Sequence, residues 1–77
     1  MKRTLRQAAA DGARWIELKC TADYCRRAWM REIEPIYKDG TSAFEKFGPD
    51  AVIEEIEDRC GWCGAGVAKV VRVIIPR

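Results

Sequence analysis

The chain predicts an α+β domain: a zinc ribbon, with a three-stranded antiparallel sheet and two cysteine knuckles, that carries a helical insertion and a short N-terminal helix. Three observations lead there. Cys60-Gly61-Trp62-Cys63-Gly64 has the form of a knuckle, in which a tight turn points two thiolates to one side and the final glycine accepts positive φ without a Cβ clash. Cys20 and Cys25 form a second, wider pair, so the chain offers four soft ligands, enough for a closed tetrahedral site. Finally, 77 residues bury a marginal core, and a domain of that size usually needs a metal or disulfides to hold it.

The elements follow in order. Thr4 to Ala10 reads as a short helix, because Thr4 with Gln7 fits a capping box, three alanines favour helix and Gly12 is placed to end it. A frayed terminus is the alternative, since so short a helix needs tertiary support. Arg14 to Lys19 alternates, with Arg14, Ile16 and Leu18 on one face and Trp15, Glu17 and Lys19 on the other. It predicts a strand running into the first knuckle. Arg27 to Ile33 predicts the returning strand of a hairpin, with Trp29 on one face and Ala28 and Met30 on the other; Pro35 ends regular pairing or confines it to an edge. Lys38-Asp39-Gly40 marks a turn.

Ser42 with Glu45 opens a second short helix through Phe47, stopped by Gly48 and Pro49. Asp50 then caps a further helix to about Arg59, with Val52, Ile53 and Ile56 on one face and Glu54, Glu55, Glu57 and Asp58 on the other. These helices make an insertion of about 41–59. Val67 to Ile75 is β-branched almost throughout and predicts the central strand, covered by helices on one side and by tryptophan on the other. Trp15 and Trp29 are expected to stack across the hairpin. The whole chain, 1–77, reads as one domain.

Cysteine usage and charge narrow the function. No apolar run approaches the roughly 20 residues that span a bilayer, and no apolar stretch follows the charged start, so a cytoplasmic, reducing setting is the expectation. That favours one structural Zn2+ on Cys20, Cys25, Cys60 and Cys63 over two disulfides or redox thiols. The 34 residues between the pairs exceed the usual ribbon spacing, and the insertion accounts for them. Four thiolates around zinc carry a formal −2, which the neighbouring Arg26, Arg27 and Arg59 can offset. A catalytic zinc keeps an open position, four cysteines leave none, and the chain has no histidine to act as a base, so no enzyme is expected.

Charge is uneven beneath a net +2. Residues 1–31 hold eight Lys/Arg against three acids, 32–58 hold two against nine, and 59–77 hold four against none. Such a bipolar chain suits an oriented contact with a protein partner, and Trp62 with Arg26, Arg27, Lys69 and Arg72 are the candidate partner-binding residues. The alternative is a nucleic-acid-binding ribbon, using Arg3, Arg6, Arg26, Arg27, Lys69 and Arg72 on phosphates and Trp62 on a base. Neither a membrane nor a small-molecule substrate is expected. A phage or mobile-element accessory protein is a further reading, motivated by size alone.

With these residues laid out, the chain resembles the short zinc-ribbon proteins of alphaproteobacteria. The resemblance is carried by Thr4-Leu5, Gly12, the run Phe44-Glu45-Lys46-Phe47-Gly48-Pro49-Asp50, the knuckle Arg59 to Gly64 and the valine-rich last strand. It implies a fold and a zinc, and no activity. The chain departs from that group in its first knuckle, where Thr21-Ala22-Asp23-Tyr24 separate the cysteines and Arg26 stands in place of a glycine.

Overall fold

The computed structural model describes residues 2–36 and 40–76; of the expected Lys38-Asp39-Gly40 turn, Lys38 and Asp39 lie outside them. Helix α1 (Leu5–Ala10) starts at the capping box read from the sequence. The Thr4 side chain accepts from the Gln7 N–H, and Gln7 reaches back to the Thr4 N–H. A six-residue helix is marginal alone. Here it is tied down, because Leu5 N–H donates to the Ala51 carbonyl and Arg6 N–H to that of Pro49, while Leu5 and Ala8 are buried. Two of the donors every helix start leaves open are thus satisfied by a distant stretch of chain.

Strand β1 (Trp15–Cys20) and strand β2 (Ala28–Glu32) pair antiparallel, as the alternation predicts. Helix α2 (Ala43–Phe47) is capped by Ser42, whose hydroxyl accepts from the Glu45 N–H and donates to the Glu45 carboxylate. It ends at Gly48, held at φ 92°.

The expected helix from Asp50 to Arg59 does not form. Ile53–Glu55 make a single 3₁₀ turn, and the chain then extends into strand β3 (Glu57–Arg59), which pairs with β4 (Val67–Ile74). Two competing demands explain this. The backbone of residues 49–53 is already engaged with the start of α1, including a bond from Ile53 N–H to the Arg3 carbonyl. The far edge of β4 also offers a ladder that Glu57–Arg59 satisfies. Ile53 and Ile56 stay buried together, since residues three apart share a side of a 3₁₀ turn. Asp50 caps no helix and instead pairs with Arg6.

The sheet therefore has four strands, in the order β2-β1-β4-β3, instead of three. β4 is internal, with β1 on one side and β3 on the other. Its register against β1 shifts between Glu17 and Leu18, which leaves Val71 as the extra, unpaired residue of a bulge. Ile16, Leu18 and Ala68 face the core with Leu5, Ala8, Ile33, Ala43, Ile53 and Ile56. The sheet curls toward this face, where Arg31 of β2 and Asp58 of β3, on its two edge strands, meet at 3.1 Å and Lys46 of α2 joins them at 3.4 Å.

Tryptophan does not cover the outer face of β4 along its length: Trp15 stands only at the end opposite Ile74, Val71 is 56% exposed, and Glu17–Arg72 and Glu57–Lys69 ion pairs run across the face. Nor do Trp15 and Trp29 stack. The hairpin register sets Trp15 opposite Glu32 and Trp29 opposite Leu18, and with a side-chain period of two this puts the tryptophans on opposite faces.

Candidate metal centre

The strands deliver the four cysteines to one end of the sheet. Cys20 is the last residue of β1, Cys60 follows β3, and Cys25 and Cys63 sit in the loops beyond. All four Sγ atoms lie within 4.8 Å of one another. The closest pairs cross between loops, Cys20 to Cys63 at 3.8 Å and Cys25 to Cys60 at 3.6 Å. Four sulfurs at about 2.3 Å from a common centre would be about 3.8 Å apart in a tetrahedron, so the cluster is close to the size of a thiolate site for a metal ion. Cys20 and Cys60 are also among the six largest fully buried side chains of the described residues. In so thin a core the cluster is part of the packing.

The loop from Cys60 turns as its sequence suggests: Gly64 N–H donates to the Cys60 carbonyl at 3.0 Å, with φ 72° at Gly64. The first loop makes the same turn two residues late. Arg26 N–H donates to the Ala22 carbonyl at 3.1 Å, and Arg26 takes φ 54°. Ala22 thus occupies the place of Cys60, and Cys25 that of Cys63. The upstream thiol moves back two residues to Cys20, within a chain whose side chains alternate with period two. This accounts for the x4 spacing. It also shows Arg26 in the left-handed conformation that a glycine would take without strain. Both loop mouths close alike, Cys20 N–H to the Arg27 carbonyl and Cys60 N–H to that of Gly66.

Sequence reasoning did not single out Gly66. A Cβ there would lie 2.4 Å from the Cys20 sulfur and 3.1 Å from that of Cys63, and the Gly66 N–H already donates to Cys63 Sγ at 3.2 Å. The available signal was a second glycine, two residues after Gly64, just before the last strand.

Backbone donors and burial divide the thiols. N–H groups of Ala65 and Gly66 bring Cys63 down to about 6. At Cys25 the strongest single influence is the Arg27 N–H, which favours the thiolate, but burial and the neighbouring cysteines outweigh it and push the group up to about 11. Cys20 is likewise raised: the Ala22 N–H pulls it down, and burial with Cys60 and Cys63 overcomes that. Cys63 is the thiolate ready to receive a cation at neutral pH.

The candidate partner residues separate. Trp62 is 55% exposed on the second loop, its ring 5.2 Å from that of Trp29 and 5.6 Å from the Arg27 guanidinium. Arg26 and Arg27 are exposed on the first loop, and Arg59 Nε donates to the Gly64 carbonyl at 3.0 Å. Lys69 and Arg72 lie on the outer face of the sheet, paired with Glu57 and Glu17. Arg3 and Arg6 are at α1, paired with Asp11 and Asp50.

Fold and site define a small α+β domain with a four-cysteine cluster able to hold a metal ion. Comparison with family models, curated proteins and solved structures finds no match for the chain. Among the described residues no helix is long and apolar enough to cross a membrane.

Proposed function

We propose that the chain is a non-catalytic binding module of zinc-ribbon type, in which Cys20, Cys25, Cys60 and Cys63 hold one structural Zn2+ and the loops around it meet a protein partner. The observation that carries this reading is the convergence of four sulfurs, from both ends of the sequence, on a cluster within 4.8 Å. An all-sulfur donor set suits zinc over hard cations, which take oxygen. Four thiolates complete a tetrahedron and leave no position for a substrate or an activated water. The metal's role is then to fasten β1 to the β3–β4 connection, which couples binding to folding.

A nucleic-acid partner is the second reading, favoured by exposed Trp62 beside Arg27. Against it, four of the six cations that reading needs are held in ion pairs: Arg3, Arg6, Lys69 and Arg72.

The test is to load the purified chain with zinc, measure stoichiometry by chelator competition, and follow far-UV circular dichroism as the metal is stripped. One zinc per chain, with loss of ordered signal on removal, supports the module. No metal uptake, or full structure without metal, overturns it. Titration of intrinsic tryptophan fluorescence with oligonucleotides at two salt concentrations decides the second reading.

A further inference from the structure

We infer that the cysteine end of the molecule docks an acidic segment of a partner protein, taken up by Lys19, Arg26, Arg27 and Arg59; this rests on the reading of the chain as a zinc-holding interaction module. The ion pairs carry the argument. Lys2, Arg3, Arg6, Arg31, Lys46, Lys69 and Arg72 each meet a carboxylate. Among the described residues five other cations meet none. Arg14 lies over the Trp15 ring at 5.9 Å. The other four adjoin the cysteines: Lys19 precedes Cys20, Arg26 and Arg27 follow Cys25, and Arg59 precedes Cys60.

Among the described residues every cation away from the cysteines except Arg14 meets a carboxylate, and four of the five that meet none gather at one end. Asp23 is the lone acid within these loops. Even with Asp23 and the formal −2 of a zinc tetrathiolate set against them, the four cations leave this end positive. Such a field favours a complementary surface and steers its approach.

Apolar contact is at hand. A shallow cleft of about 270 Å³ beside Cys20 is lined by Lys19, Thr21, Asp23, Arg26 and Val71, with the bulge residue Val71 exposed. Tyr24, 74% exposed, stands on the same loop. Positive charge flanking exposed aliphatic and aromatic groups fits a peptide that carries both acids and apolar side chains. A nucleic-acid strand fits less well. The Trp62 ring is already engaged by Arg27 and Trp29, and a phosphate track along β4 would run onto Glu57 and Glu17, the partners of Lys69 and Arg72.

The test uses the zinc-loaded full chain and fluorescence anisotropy with two labelled probes, a peptide of alternating glutamate and leucine and an oligothymidylate. The peptide is expected to bind more tightly, and binding to weaken with salt. Arg26→Gln with Arg27→Gln should weaken it about tenfold, whereas Lys2→Gln, far from the cysteines, should change it less than about twofold, with zinc content constant in all. Tighter oligothymidylate binding, no binding of either probe, equal loss in Lys2→Gln, or loss of zinc from the double variant each overturn the inference. The last would show that the arginines serve the metal. Failure of the wild-type chain to take up zinc is a separate outcome, and it strikes the module reading itself.

Discussion

Replacing Gly66 with alanine puts the cysteine cluster under a measurable load. The new Cβ would lie 2.4 Å from Cys20 Sγ, 3.1 Å from Cys63 Sγ and 3.3 Å from the Ala22 Cβ. Comfortable carbon–sulfur contact needs about 3.5–4 Å, so relief demands a displacement of roughly 1 Å. Metal–ligand distances tolerate only about 0.2 Å. With a metal ion bound, the sulfur could not yield without leaving it, and the backbone cannot yield without losing the Gly66 N–H bond to Cys63 and the Cys60 N–H bond to the Gly66 carbonyl. Overpacking of this kind costs about 1–3 kcal/mol, which corresponds to roughly 5- to 150-fold weaker zinc binding. Gly64→Ala is the comparison, because nothing lies within 4 Å of its added Cβ and only the φ of 72° resists, at about 1 kcal/mol. Competition against a chromophoric chelator measures both. Zinc affinity in Gly66→Ala within twofold of wild type would refute the placement of Gly66 against the ligands.

Arg26→Gly should stabilise the zinc-loaded protein by about 0.5–1 kcal/mol, since the native φ of 54° costs a side chain what glycine does not incur; thermal unfolding checks it, and a lower Tm would count against the turn described. Cys20 and Cys25 are raised above the ordinary thiol value and protonated at neutral pH, so loading zinc must release at least two protons per ion. Affinity then rises with pH, by at least about 100-fold per unit near neutrality, and the dependence steepens below about 6, where Cys63 also takes up a proton. A pH indicator in weak buffer counts the protons, and fewer than two contradicts the thiol states. Asp58→Ala should cost about 3 kcal/mol by urea unfolding, because Arg31 and Asp58 are only 16% and 10% exposed and the change strands a guanidinium; Arg31→Met with Asp58→Leu should cost much less.

Much of the site was legible because its chemistry is local. Cys60 to Gly64 specifies its own turn, and Thr4 with Gln7 and Ser42 with Glu45 specify their helix starts within four residues. Gly66 was hidden, since its importance lies in a sulfur 46 positions earlier in the chain. So was the reach of the first loop, whose turn starts at Ala22 while its first cysteine stands on β1.

From composition and pattern alone came the α+β class, the two hairpin strands, the valine-rich strand and two cysteine pairs, each close along the chain, that together are able to hold a metal ion. Tertiary structure alone decided the fate of residues 50–59, the fourth strand, the partner of Trp29 and which cations remain without a carboxylate. The physical reason is the same in each case. A free strand edge, a shared face or a neighbouring charge comes from residues remote in sequence, and the free energy of satisfying it outweighs the few tenths of a kcal/mol by which local preferences differ.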